Sequence, residues 1–175
     1  MNKSIVVGIA DCRVTDDPQS ELVTYALGSC VAVMIHDPMV RVGGLLHFML
    51  PESGIDREKA QNRPFMFADT GIPLLFHSAY AKGAEKRRLL VSIAGGAQMM
   101  DERGVFNIGK RNCLAVRKIL WKAGVMLQSE NLGGTDSRTV RLDVATGKVS
   151  LSQGGERMPL RMAGAAAPER TYDGL

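Results

Sequence analysis

The chain has 175 residues and a mass of 18.9 kDa, enough for one domain with a full core. Hydrophobic content of 45% against 23% charged residues excludes a disordered chain, and no apolar run approaches the roughly 18 residues of a membrane span. The formal charge of +4 is too small to assign a partner until its distribution is known.

The opening Met1–Gly8 is too short for a signal peptide, which leaves the cytoplasm as the expected location. Cys12, Cys30 and Cys113 form no CxxC pair and are odd in number, so no disulfide framework is expected, in keeping with a reducing compartment. His36, His47 and His77 lack the spacing that sets two ligands on one helix face, so no metal is expected.

In chain order, Ile5–Ile9 reads as a first strand, and Leu22–Leu27 and Val31–Ile35 as two more, separated by Gly28-Ser29-Cys30. Asp37-Pro38 marks a turn, and Val42–Leu50 is apolar on both faces, as a strand between two layers would be. Residues 55–65, dense in Asp56, Arg57, Glu58, Lys59 and Arg63, read as a solvated loop. A helix is predicted from an Asp69-Thr70 cap to Gly83, with Pro73 in its first turn. Leu89–Ala94 reads as a strand, Ile108–Ala123 as a helix with Asn107 at its cap, and 139–144 with 148–152 as a hairpin around Thr146-Gly147. The class is mixed α/β (α+β) with mostly antiparallel strands, in one domain over 1–162, and an Ala/Gly/Pro-rich tail, 163–175, expected to be disordered.

The chemistry lies between residues 24 and 50. A two-residue turn with Pro38 and Met39 at its tip opposes residues whose numbers sum to 77, which sets Cys30 across from His47 on one face. That is the reach a nucleophile and its base require. A straight strand would hold Thr24 far from Cys30, but a turn at Gly28-Ser29 folds the chain back and brings the threonine hydroxyl to the imidazole, where it orients the ring. Gly28 and Ser29 are the candidate oxyanion donors through their backbone. Spacing alone does not separate this reading from a small buried cysteine and a core histidine.

The segments Thr24-Tyr-Ala-Leu-Gly-Ser-Cys30, His36-Asp-Pro and Gly43-Gly-Leu-Leu-His47-Phe-Met-Leu-Pro51 resemble the chemoreceptor glutamine deamidases, the CheD family. Ala68-Asp69-Thr70, Ala94-Gly-Gly-Ala97, Asn107-Ile-Gly109 with Arg111-Asn112, and Gly133-Gly134 with Arg138 continue the pattern, over roughly residues 4 to 155. Asn131-Leu132 depart from it, where an acidic residue is expected before the late Gly-Gly. The resemblance implies a three-layer α/β/α fold, catalysis by Cys30, His47 and Thr24 without a cofactor, and glutamines of methyl-accepting chemoreceptors as substrate. It also implies a CheC-type CheY-phosphate phosphatase as partner.

Rival readings are a transglutaminase-like acyl transferase and a non-catalytic adaptor for the phosphatase; an adaptor has no need of an intact Cys30, His47 and Thr24 together. A cysteine phosphatase is excluded because His36, not arginine, lies six residues after Cys30. Residues 107–122 hold five basic side chains and no acid; they read as a solvated helix face, with a docking surface for an acidic partner as the alternative. No aromatics interleave with these charges as nucleic-acid binding would need. Cys113 is expected in the core and His36, beside the turn, at the surface.

Overall fold

The computed structural model describes residues 3–99 and 107–160; the tail 163–175 lies outside them. Among the described residues the strands form two five-stranded sheets. The first runs β1 (Lys3–Val6), β3 (Ser20–Leu27), β8 (Arg138–Asp143), β9 (Val149–Gln153), β10 (Glu156–Pro159). The second runs β2 (Asp11–Thr15), β5 (Val42–Phe48), β4 (Val31–Asp37), β6 (Leu90–Gly95), β7 (Leu127–Leu132). The pairs β1–β3 and β6–β7 are parallel and the rest antiparallel.

Every residue of β4 and β5 is buried, because the second sheet is covered on both faces. Val31, Val33, Ile35, Leu46 and Phe48 pack under α2 (Ala68–Tyr80) and α3 (Ile108–Lys122). Ala32, Met34 and Leu45 point the other way, against Leu22, Val140, Leu142 and Leu151 of the first sheet. Helices, second sheet and first sheet thus make three layers, and the mixed α/β class with mostly antiparallel strands is the one observed. The helices bury one stripe each: Ala68, Ile72, Leu75, Phe76 and Ala79 on α2, and Asn112, Cys113, Val116 and Leu120 on α3.

Several elements differ from their sequence reading. The first strand stops at Val6, after which the chain passes through Ala10, at φ 57°, into β2. The edge strands β7 and β10 are partly or wholly exposed, so their side chains show little alternation to read. Residues 55–65 contain a short helix, α1 (Arg57–Asn62), in place of a loop; it buries nothing, and Asp56 caps it by accepting from the Lys59 amide at 2.9 Å. Asp69 is not the cap of α2, since its carboxylate accepts from Ser53 N and Oγ at 2.8 and 2.7 Å. Asn107 stands at the start of α3 but makes no side-chain capping bond, being itself left-handed at φ 40°.

The hairpin register is a further correction. Val31 pairs Phe48, Ala32 pairs His47 and Asp37 pairs Val42, so opposed numbers sum to 79, not 77. The turn takes four residues, Pro38–Arg41, and Arg41 at φ 52° closes it. Proline suits the first position of an αR turn, which a two-residue hairpin cannot use without splaying its strands. Cys30 and His47 are therefore not directly opposed. A slip of two residues preserves the face, however, so both still point toward the first sheet.

Candidate active site

The site forms where the chain leaves one sheet for the other. In β3, Thr24 pairs Val140 and Leu27 pairs Arg138, so β3 carries one extra residue there: a bulge, with Ala26 left-handed at φ 53°. The bulge turns the strand, and Gly28-Ser29 carries the chain across to begin β4 at Val31. Thr24 thus stays in the first sheet while Cys30 enters the second. His47, on the facing side of β5, reaches between the sheets, and its Nδ1 lies 2.8 Å from Thr24 Oγ1. Cys30 is half-buried on that same inner face. Relative to the Ala32–His47 pair it is the diagonal neighbour, a placement still within reach of longer side chains.

Hydrogen bonding settles the imidazole tautomer. Thr24 Oγ1 also lies 2.8 Å from the Val7 carbonyl, which can only accept. The single hydroxyl proton goes to Val7, so Thr24 accepts from Nδ1–H and Nε2 keeps its lone pair. Nε2 is buried and makes no hydrogen bond, so the thiol is not bonded to it in this state. Burial pushes the His47 pKa down to about 4. Burial likewise raises that of Cys30, opposed by its own backbone N–H. The resting pair is neutral thiol and neutral imidazole.

The backbone around Cys30 is tied down carbonyl by carbonyl. Gly28 O accepts from Ala97 N at 2.8 Å, Ser29 O from Asn112 Nδ2 at 2.9 Å, and Cys30 O from Gly96 N at 2.7 Å. Gly95 permits this approach: at φ 117° a Cβ there would stand 2.2 Å from the Cys30 carbonyl oxygen. A half-buried thiol on the same face as an unprotonated, oriented imidazole is the pairing of groups that nucleophilic attack on an acyl carbon uses.

Comparison with known proteins supplies the family. A family model described as CheD chemotactic sensory transduction matches residues 49–153. The chain is 53% identical over 158 residues to the probable chemoreceptor glutamine deamidase CheD of Solibacter usitatus, covering 90% of this chain and 94% of that protein. It is 50% identical over 157 residues to probable chemoreceptor glutamine deamidase CheD 1 of Syntrophus aciditrophicus, covering 90% and 97%. The chain belongs to the CheD family. The family model begins after His47, but a stretch of 158 residues in a chain of 175 must span Thr24, Cys30 and His47.

The remaining candidates in this CheD chain sort by their surroundings. His36 is buried, not exposed, because Nε2 bonds the Val144 carbonyl at 2.9 Å across the sheets. Cys113 is on the buried stripe of α3, and burial raises its pKa. Cys12, on β2, is pushed up to about 12, chiefly by burial and then by Asp11. On α3, Arg117 pairs with Glu130 at 3.1 Å and Arg111 lies 3.9 Å from Glu52, which favours the solvated-face reading of its charge. A cleft of about 610 Å³ lined by Ser92, Thr146, Lys148 and Met158, among others, includes neither Cys30 nor His47. Two contributors escaped the sequence reading, the Val7 carbonyl and Asn112. Only the Arg111-Asn112 motif of the family resemblance pointed to the second.

Proposed function

We propose that this protein hydrolyses glutamine side chains of methyl-accepting chemoreceptors to glutamate, releasing ammonia, with Cys30 as nucleophile, His47 as proton carrier and Thr24 as the group that orients it. The observation that carries this reading is the Thr24–His47 bond, which leaves Nε2 unprotonated on the face that holds Cys30. The relatives' names supply the substrate class.

In the first step the Cys30 proton passes to Nε2 as sulfur bonds the carboxamide carbon, and the amide oxygen becomes an oxyanion held by the backbone N–H groups of Gly28 and Ser29 together with that of Cys30. The intermediate collapses, the C–N bond breaks, and Nε2–H protonates the leaving nitrogen as ammonia. A thioester remains. Water then gives a proton to Nε2 and its oxygen to the acyl carbon; the C–S bond breaks, and sulfur recovers that proton as glutamate leaves. The depressed His47 pKa keeps the base unprotonated at neutral pH, and the raised Cys30 pKa means that proton transfer accompanies attack. No step calls for a cofactor.

We take residues 1–162 as one deamidase domain, since strands of both sheets pack into one core between them. We place it in the cytoplasm; no described helix is long and apolar enough to cross a membrane. A CheC-type phosphatase is the second partner, on the strength of the family pattern alone. The test is incubation with a receptor cytoplasmic fragment, read by peptide mass spectrometry and ammonia release. Glutamine-to-glutamate conversion at particular positions is expected; intact glutamines with every fragment tried would defeat the reading.

A further inference from the structure

The β4–β5 ladder ends at Val31–Phe48, one step short of Cys30 and Met49. The Met49 amide turns away to bond Met66 O at 2.9 Å. Beyond the last rung, the Ser29 and Met49 carbonyls are both taken by one side chain: Asn112 of α3, fully buried, donates Nδ2 to Ser29 O at 2.9 Å and to Met49 O at 2.8 Å. Two acceptors on one atom fix which end of the amide is nitrogen. Its two protons are thereby both used.

The Ser29 carbonyl and the Cys30 N–H belong to one planar, trans peptide unit and point in opposite directions. A side chain that holds the carbonyl toward α3 therefore aims the N–H of the cysteine away from α3. We propose that Asn112 is a positioning residue for deamidation: through the Ser29 carbonyl it aims the Cys30 N–H at the oxyanion of the tetrahedral intermediate. This rests on the deamidase reading and deepens it. The neighbouring unit is set the same way, Gly28 O being held by Ala97 N. A residue that merely kept two buried carbonyls from going unbonded would lower stability and leave the chemical step alone.

Two variants separate these roles. Asn112→Asp keeps the shape but turns an acceptor toward two carbonyls, and Asn112→Ala removes the clamp. In either, kcat for receptor-fragment deamidation should fall by about a hundredfold, the scale of a lost oxyanion donor, with KM changed less than about twofold. Alkylation of Cys30 by iodoacetamide, a displacement at saturated carbon with no oxyanion, should keep the unmodified protein's rate. Alkylation falling in step with kcat, or a folded variant with unchanged kcat, overturns the proposal. A measurement on the unmodified protein covers variants that do not fold. A receptor peptide with an aldehyde in place of the target carboxamide forms a hemithioacetal on Cys30, and the Cys30 amide proton should then move downfield in the NMR spectrum. A proton that stays in place sinks the proposal. An unmodified protein that shifts this proton but converts no glutamine sinks the deamidase reading and spares the clamp.

Discussion

The two ends of the β4–β5 hairpin each bury a histidine on the same inner face, and they treat it in opposite ways. At the turn end, His36 stands opposite Gly43, bonds a backbone carbonyl through Nε2, and has Nδ1 packed so closely over Gly147 that a Cβ there would lie 2.4 Å from it. Nearby, Asp37 is fully buried and saturated: Arg88 Nε lies 3.0 Å from both its oxygens, and the Glu85 and Met39 amides add two more bonds. At the other end, His47 bonds a hydroxyl through Nδ1 and leaves Nε2 bare on the face that holds a half-buried thiol. Burial and an unbonded ring nitrogen are common to both. What differs is that a half-buried thiol shares the inner face at the His47 end, whereas the Gly147 backbone closes over the ring at the His36 end.

The sharpest way to break this contrast is to remove the thiol. Cys30→Ala should lower deamidation by at least about a thousandfold, as loss of a nucleophile does, with the thermal transition little changed. Cys12→Ala and Cys113→Ala should keep activity, because neither cysteine shares the inner face with His47. A Cys30→Ala protein that still converts glutamine at the original rate would end the mechanism.

Next in size is an effect on stability. The folded His47 takes up a proton only near pH 4, whereas the unfolded chain does so near its ordinary 6.5. Between these values the unfolded state binds more protons, so stability is full above 6.5 and is lost as pH falls toward 4. The loss amounts to about 3 kcal/mol at 1.36 kcal/mol per unit. Denaturant titrations across this window should show the slope in the unmodified protein and a smaller one in His47→Gln. Equal slopes would mean that burial does not hold the imidazole neutral.

Much of this was legible in the chain. An apolar run at 31–35 marked a strand and one at 42–50 a strand covered on both faces, and a turn at Gly28-Ser29 brought Thr24 to the imidazole. The register was not legible, since Asp37-Pro38-Met39-Val40-Arg41 fits a tip of two or of four residues, and only the backbone shows Arg41 left-handed. Nor was the bulge, because Ala26 carries no glycine signal for its positive φ. Asn112 acts on partners 83 and 63 residues away, a relation that local patterning cannot carry. His36 misled because nearness to a turn suggests exposure, whereas Val144 arrives from the other sheet to cover it.

Thr24 sharpens the comparison from the side of the orienting bond. Thr24→Ala leaves His47 Nδ1 and the Val7 carbonyl without their shared partner, so kcat should fall by about tenfold, less than for loss of either reacting group. Thr24→Ser keeps the hydroxyl and should restore most of the rate. If Ser and Ala are equally impaired, packing of the threonine methyl and not its oxygen holds the ring.

The smallest effect on activity belongs to His36, and it is the one that tests the contrast itself. A carbonyl accepts at His36 Nε2, so that ring carries its proton on Nε2; the Thr24–Val7 relay puts the proton of His47 on Nδ1. Nitrogen NMR should therefore find a proton on Nε2 of His36 and on Nδ1 of His47. His36→Gln retains a donor for Val144, so kcat should change by less than about twofold, while the altered packing against Gly147 costs about 1–2 kcal/mol of stability. A large fall in kcat at unchanged KM would show that the turn end is coupled to the chemistry. The packing of Nδ1 over Gly147, where a Cβ would lie 2.4 Å from it, gives no route for that.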